Sequence, residues 1–256
     1  MTDMLDFRIS QLGEPMIKSP LLFSKKHGDH IANYVSNDER VIYALDAVRG
    51  AGPGRFDEKT LMEKAGPREM IYFEPADVHA AVVTCGGLCP GLNDVIREIV
   101  MCLWYRYDVR KISGIRYGYR GLIERFGLAA MELTPDIVSE IHRDGGTILG
   151  SSRGHGEEAG AIVDTLQRLG VDMLFVIGGD GTQRGALGIS QELRRRGLKI
   201  GIVGIPKTID NDLSFVEVSF GFHTAVAKAV DAVAAAHAEA RGALNGIGLV
   251  KVMGRQ

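Results

Sequence analysis

No stretch of this 256-residue chain approaches the ~20 consecutive apolar residues that a helical bilayer span needs. The opening residues, Met1 to Arg8, carry acids and lack the basic and apolar regions of a secretory leader. Cysteine is scarce. Three residues, an odd number, argue against a disulfide framework and for a reducing, cytoplasmic setting. An excess of one charge is missing too. Thirty Lys and Arg stand against 32 Asp and Glu, a formal net charge of -2, so neither nucleic acid nor a membrane surface is an expected partner. The runs Arg194-Arg195-Arg196 and Lys25-Lys26 are short enough to be ordinary solvated faces. Cys85 and Cys89 have no second Cys/His pair at finger spacing, so they read as small buried residues rather than metal ligands. The chain shows neither an internal repeat nor a low-complexity tract.

What is present is 45% hydrophobic, enough for a real core in one or two domains. Residues 1–75 are mixed and read as an N-terminal extension. Within them, 33–47 can pair a strand with a helix start, and Gly50-Ala51-Gly52-Pro53-Gly54 reads as a turn. Residues 76–256 read as a nucleotide-binding α/β domain. Short apolar runs at 78–84, 111–116, 171–177, 199–204 and 246–252 predict strands. Helical spacing predicts helices over 92–105, 134–144, 157–169, 185–196 and 221–241. Thr134 is placed to cap the second of these helices, with Pro135 in its first turn. The alternation predicts a doubly wound, mostly parallel sheet, which binds ligands at the carboxyl ends of its strands.

The unusual motifs all follow predicted strands. In Thr84-Cys85-Gly86-Gly87-Leu88-Cys89-Pro90-Gly91, glycines let backbone approach a phosphate, and a helix start offers free N–H groups. Tight turning alone also explains many such loops. Neither the P-loop nor the dinucleotide spacing is present. Gly178-Gly179-Asp180-Gly181-Thr182 makes room for a nucleotide beside a carboxylate suited to Mg2+. In Pro206-Lys207-Thr208-Ile209-Asp210-Asn211-Asp212, two acids two residues apart face the same way on an extended chain. Paired carboxylates beside a lysine suit general-base chemistry; a plain acidic turn explains one Asp but not the string. Met253-Gly254-Arg255 and Gly150-Ser151-Ser152-Arg153-Gly154 add arginines able to clamp phosphate or spread the charge of a transferring group.

Together these strings resemble the phosphofructokinase family from about Val78 onward. They include C-G-G-L-C-P-G-L-N-D at 85–94, R-Y-G-Y-R-G-L at 116–122, L-G-S-S-R-G at 149–154, G-G-D-G-T-Q-R-G at 178–185, P-K-T-I-D-N-D at 206–212 and M-G-R at 253–255. The wording is closest to the branch of plant and trypanosomatid ATP-dependent enzymes and their bacterial relatives. The resemblance implies phosphoryl transfer from ATP to the 1-hydroxyl of fructose 6-phosphate, giving fructose 1,6-bisphosphate, with Mg2+. It implies that Asp210 is the base, with Lys207 and Arg153 also catalytic. Gly87, Tyr119, Arg153, Gly154, Gly179, Asp180, Gly181 and Thr182 would hold the nucleotide, and Asp180 would serve the metal. Thr208, Ile209, Asp210, Asp212, Met253, Gly254 and Arg255 would meet the sugar phosphate.

In this family a glycine after the motif aspartate leaves space for the α-phosphate of ATP, whereas an aspartate there marks pyrophosphate users. Gly181 therefore favours ATP, while Lys207 resembles the lysine of the pyrophosphate users. Family members continue well past M-G-R and form dimers or tetramers, so the resemblance implies a truncated chain and a homo-oligomer. Two alternatives stay open: a pyrophosphate-dependent enzyme, or a truncated, non-catalytic nucleotide-binding module. NAD and lipid kinases share G-G-D-G-T but lack P-K-T-I-D-N-D and M-G-R.

Overall fold

The computed structural model describes residues 6–42 and 61–254. The expected turn at Gly50–Gly54, part of the expected strand-and-helix segment at 33–47, and Arg255 lie outside them. The chain divides into two compact units. One holds the described residues up to Asp77 with Arg106–Asp108; the other holds Val78–Tyr105 and the described residues from Val109 onward. The first unit contains two small antiparallel ribbons. Strand β1 (Ile17–Lys18) pairs with β4 (Met70–Ile71), and β2 (Arg40–Ile42) pairs with β3 (Leu61–Glu63).

The second unit is built on a five-stranded sheet. Its strands are β5 (His79–Thr84), β6 (Lys111–Ile115), β7 (Met131–Glu132), β8 (Met173–Gly178) and β9 (Gly201–Pro206), in the order β7-β6-β5-β8-β9. Strands β6, β5, β8 and β9 are parallel, and β7 is antiparallel to β6. The helices are α1 (Leu92–Arg106), α2 (Pro135–Val138), α3 (Ala159–Leu169), α4 (Asp180–Arg195) and α5 (Phe222–Gly242). This is the expected doubly wound α/β fold. Every residue of β5 is buried. Ala81, Val83 and Cys85 join one core cluster with Ile162 and Leu166 of α3 and Ile189 and Leu193 of α4. Ala80, Val82 and Thr84, of opposite parity, are fully buried as well, so both faces of the central strand are covered. The chain moves from β5 to β6 on one side and then to β8 on the other. The crevice at their carboxyl ends is the topological switch point.

Three local readings needed correction. The helix expected over 134–144 forms only as α2, with its Thr134 cap as expected, followed by a separate 3-10 turn, Ile141–Arg143. The Ser139 hydroxyl donates to the Asp136 carbonyl, and Arg97 donates to the Ser139 carbonyl, side-chain bonds that compete with continuation of the helix at this point. The strand expected over 246–252 is not one. The segment runs back along α5 on Gly246 and Gly248, where a Cβ would lie 2.2 Å from the Ala240 oxygen and 2.6 Å from the Ala236 oxygen. Ile247 and Leu249 are 92% exposed, so its apolar residues were no guide to a sheet. Helix α4 begins at Asp180, five residues before the expected start, which brings the G-D-G-T run into its first turn.

His79, in the core strand, is fully engaged. Its N–H donates to Asp172 (2.8 Å), Nδ1 meets the Leu169 carbonyl (3.0 Å) and Nε2 meets the Ser113 hydroxyl (2.8 Å). The carbonyl can only accept, so Nδ1 carries the proton. Burial holds its pKa below the usual histidine value; Lys111 adds to this and Asp172 opposes it. A lowered folded pKa means that the unfolded chain takes up the proton first on acidification. The contribution of His79 is therefore complete above the unfolded value of about 6.5 and falls away below it, down to the folded pKa. The melting temperature is expected to drop more steeply between pH 7 and pH 5 in the unsubstituted chain than in His79→Asn; parallel slopes would refute this.

Candidate functional site

Loops from the carboxyl ends of three adjacent strands meet around one cavity of about 1040 Å³. After β5 come Cys85–Leu88, after β8 come Gly179–Thr182, and after β9 come Lys207–Asp210 with Asp212 and Leu213. Ser152, Arg153 and Gly154 close one side, and Lys251–Gly254 another. The residues given catalytic or binding roles by the resemblance all line this cavity apart from Arg255, which lies outside the described residues.

The wall after β8 is a helix terminus. Gly179 caps α4 in an extended conformation (φ -82°, ψ -168°) with no side chain capping the helix. The first amide bonded back along the helix is that of Gln183, to Gly179 (2.9 Å). The amides of Asp180, Gly181 and Thr182 thus lack an intrahelical acceptor, and the positive end of a 16-residue helix opens into the cavity. Such an end attracts anions. A Cβ built on Gly178 would overlap the Thr182 side chain at 2.4–2.6 Å, whereas one built on Gly181 meets nothing within 4 Å. The first glycine is required by packing and the second leaves open space.

The wall after β5 is held by backbone ties. The Gly86 amide donates to the Ser152 carbonyl (2.9 Å), and the Ser151 hydroxyl donates to the Gly86 carbonyl (2.7 Å). Gly86 needs its positive φ of 87°. Lys207 crosses from the third wall and donates from Nζ to the Gly87 carbonyl (2.6 Å). This lysine is 6% exposed. Burial lowers its pKa, the thiols of Cys89 and Cys85 counter that, and Arg153 adds to it. Cys85 is itself inert, since burial raises its thiol to about 12.

The wall after β9 is a bend. The two aspartates line one cavity, as expected, but not by extended-chain parity, because Asn211 between them adopts the left-handed region (φ 55°). The Thr208 hydroxyl donates to Asp212 and accepts from the Asp210 amide (3.2 Å). Asn211 sews the loop shut, donating to the Glu217 carbonyl (2.9 Å) and accepting from the Ser219 amide (2.7 Å). Its role is structural, and Asn tolerates the left-handed region well. Gly254 approaches the site closely: a Cβ there would sit 3.3 Å from Asp210 Oδ1.

Tyr119 is 2% exposed and forms part of the cavity wall. Its hydroxyl donates to the Thr182 carbonyl (2.7 Å), and its ring packs against Gly156 and Gly185. Sequence reasoning missed Glu157, Arg184, Gly185 and Gly188, which also line the cavity. The signal was available for the glycines. Gly181, Gly185 and Gly188 are spaced by four and three, which puts them on one face of α4. It also missed Gln183, which donates to the carbonyls of Gly178 (2.9 Å) and Ile205 (3.2 Å) and so pins the ends of β8 and β9 together.

Asp180, Asp210 and Asp212 line one cavity beside the Thr208 hydroxyl and an open helix terminus suited to phosphate. Carboxylates are the ligands a hard divalent cation takes, but these three are not gathered within 4.8 Å of one another as a protein-only cation set, so an ion here would draw other ligands from phosphate and water. No helix among the described residues is long and apolar enough to cross a membrane.

This fold and site define a class: a doubly wound α/β protein whose strand ends assemble an acid-lined, anion-ready cavity. The chain belongs to the phosphofructokinase family, whose profile matches residues 79–256. It is 53% identical over 253 residues to "ATP-dependent 6-phosphofructokinase" of Borreliella burgdorferi, covering 98% of this chain and 55% of that protein. It is 55% identical over 195 residues to the protein of the same name from Trypanosoma cruzi (76% of this chain, 40% of that one). It is 51% identical over 217 residues to "ATP-dependent 6-phosphofructokinase 7" of Arabidopsis thaliana (85% and 42%). The chain thus spans about half the length of the curated relatives it matches. Among solved structures, a pyrophosphate-dependent phosphofructokinase from Marinobacter aquaeolei shares the fold with a TM-score of 0.57 at 23% identity, over 64% of this chain and 42% of that one.

Proposed function

We propose that this chain binds ATP with Mg2+ and transfers its terminal phosphoryl group to the 1-hydroxyl of fructose 6-phosphate. The observation that carries the reading is the convergence of Asp180, from the end of β8, with Lys207 and Asp210, from the end of β9, on one cavity faced by an uncapped helix terminus. The names of the relatives from Borreliella, Trypanosoma and Arabidopsis support the same chemistry and the same donor.

In this reading Asp210 accepts the proton of the sugar hydroxyl as its oxygen attacks phosphorus. The new O–P bond forms while the bond to the β-phosphate bridging oxygen breaks, and ADP leaves. Thr208 sets the loop geometry that aims Asp210, through its bonds to the Asp210 amide and to Asp212. The amides at the start of α4, the backbone of Gly87, Arg153, Gly154 and Lys207 cradle the donor phosphates. Tyr119 shapes the nucleotide wall. Ile209, Met253 and Gly254 would meet the sugar phosphate, and the family resemblance assigns Arg255 to it as well. Asp180, with the other carboxylates at hand, would hold Mg2+, which when bound neutralises charge on the phosphates. This machinery supplies positioning and charge stabilisation, the two things phosphoryl transfer most needs.

The test is direct. Calorimetry with MgATP and with magnesium pyrophosphate, beside a coupled assay for fructose 6-phosphate phosphorylation, should show binding and turnover with ATP. Turnover with pyrophosphate alone would reverse the donor assignment. MgATP binding without turnover would reduce the proposal to a nucleotide-binding module.

A further inference from the structure

His155 does not line the cavity, but its neighbours Gly154, Gly156 and Glu157 do. It is a non-glycine residue held in the left-handed region (φ 67°), a conformation that persists only when its surroundings impose it. Those surroundings are specific. Arg120 Nε donates to His155 Nε2 (3.1 Å), so that nitrogen carries a lone pair and Nδ1 carries the proton. Nδ1 then donates to Glu158 Oε1 (2.9 Å). Arg125 grips both oxygens of Glu158, with Nη2 to Oε1 at 2.7 Å and Nη1 on Oε2. These bonds, from Arg125 first and His155 second, hold the Glu158 carboxyl down at about 2, so it is anionic at any working pH. The Phe126 ring meets the imidazole edge-on at 5.1 Å, with Arg125 over it at 4.8 Å.

The network ties the loop to the 3-10 turns Gly118–Leu122 and Glu124–Phe126. On its other side the loop is pressed against α4: a Cβ on Gly156 would lie 2.9 Å from the Gly185 Cα and 3.2 Å from the Tyr119 ring. A cation held by His155, Glu157 and Glu158 is the rival reading, since their ligand atoms lie within 4.8 Å of one another. The two arginines argue against it. They already occupy His155 Nε2 and both Glu158 oxygens, and they bring positive charge to the same spot.

We propose that His155 is a positioning residue for the nucleotide site, a latch that holds the Arg153–Glu157 loop as a cavity wall through Arg120 and Glu158. The inference rests on the proposed nucleotide reading of the cavity. The charged groups around the ring are Arg120, Arg125, Glu157 and Glu158.

The variants that test it keep the left-handed backbone or the reach. His155→Asn tolerates the backbone and can still reach Glu158, but it is too short for Arg120. His155→Gln places a carbonyl oxygen where Nε2 stood. Amide hydrogen exchange in the ligand-free chain and MgATP calorimetry are the readouts. His155→Asn should speed exchange at residues 153–157, weaken MgATP by about tenfold, the scale of one lost charge-assisted bond, and leave the melting temperature within a few degrees. His155→Gln, which keeps the acceptor for Arg120 and gives up the bond to Glu158, should recover part of both. Unchanged exchange at 153–157 in His155→Asn, or faster exchange with unchanged MgATP affinity, overturns the latch. Absence of MgATP binding by the unsubstituted chain overturns the nucleotide reading instead, and the exchange arm still decides whether the loop is held by His155.

Discussion

Asp210→Asn is expected to lower the rate of fructose 6-phosphate phosphorylation by about 10²- to 10⁴-fold, the usual contribution of a positioned general base. The substitution keeps the shape of the side chain and removes only its ability to take a proton. The Asp210 amide, and with it the bond to Thr208, is untouched. MgATP affinity should therefore stay within about threefold, because the proposed donor cradle is formed by the walls after β5 and β8 with Lys207 and Arg153, and not by the Asp210 side chain. Asp212→Asn is the informative companion. Asp212 is tied to the Thr208 hydroxyl, so its loss disturbs the aim of the loop rather than the proton transfer. A smaller fall, about tenfold, is expected there. Steady-state kinetics of both variants against the unsubstituted chain decide the matter. Equal losses in the two, or an Asp210→Asn rate within tenfold of the parent, would remove Asp210 from the role of base.

The alternation of strand and helix was legible because apolar period and glycine punctuation agree over most of residues 78–205. The site was legible for a related reason: its residues cluster at strand ends, where a parallel sheet has nowhere else to place a ligand. What could not be read was long-range. Gly246-Ile247-Gly248-Leu249-Val250 has strand composition, but its glycines serve to bring backbone against α5. Nothing local records that choice. Similarly, the parity argument brought Asp210 and Asp212 together for the wrong reason. Asn211 takes a left-handed turn whose stability comes from Glu217 and Ser219 further along the chain. The early start of α4 was missed because Gly179 and Gly181 depress helix propensity. Tertiary bonds from Gln183 to Gly178 and Ile205, and from Tyr119 to Thr182, override that preference. His155 is legible only in three dimensions, since its partner Arg120 precedes it by 35 residues, and Arg125, which holds its other partner Glu158, precedes that residue by 33.

Gly181→Asp should convert the donor site without harming the fold. Gly181 lies in the first turn of α4, its φ is ordinary, and a Cβ there meets nothing within 4 Å. An acidic residue in the first turn is favoured by the helix dipole by roughly 0.3–1 kcal/mol, and replacing glycine in a helix lowers the entropy cost of folding. The melting temperature should therefore hold or rise. Binding is another matter, because the new carboxylate would occupy the open space of the cavity and place a negative charge where the proposed α-phosphate lies. Loss of about 100-fold or more in MgATP affinity is expected, equivalent to about 2.7 kcal/mol. Magnesium pyrophosphate has no group at that place, so its binding should change by no more than a few-fold. Lys207 is already present to support it. Gly181→Ala separates bulk from charge, since a methyl group in open space should weaken MgATP by less than about threefold. Calorimetry with both donors on the two variants, beside their melting curves, gives the result. If Gly181→Asp binds MgATP as well as the parent does, the nucleotide does not pass this wall, and the preference for ATP has to be sought among Glu157, Arg184 and Gly188 further along the cavity.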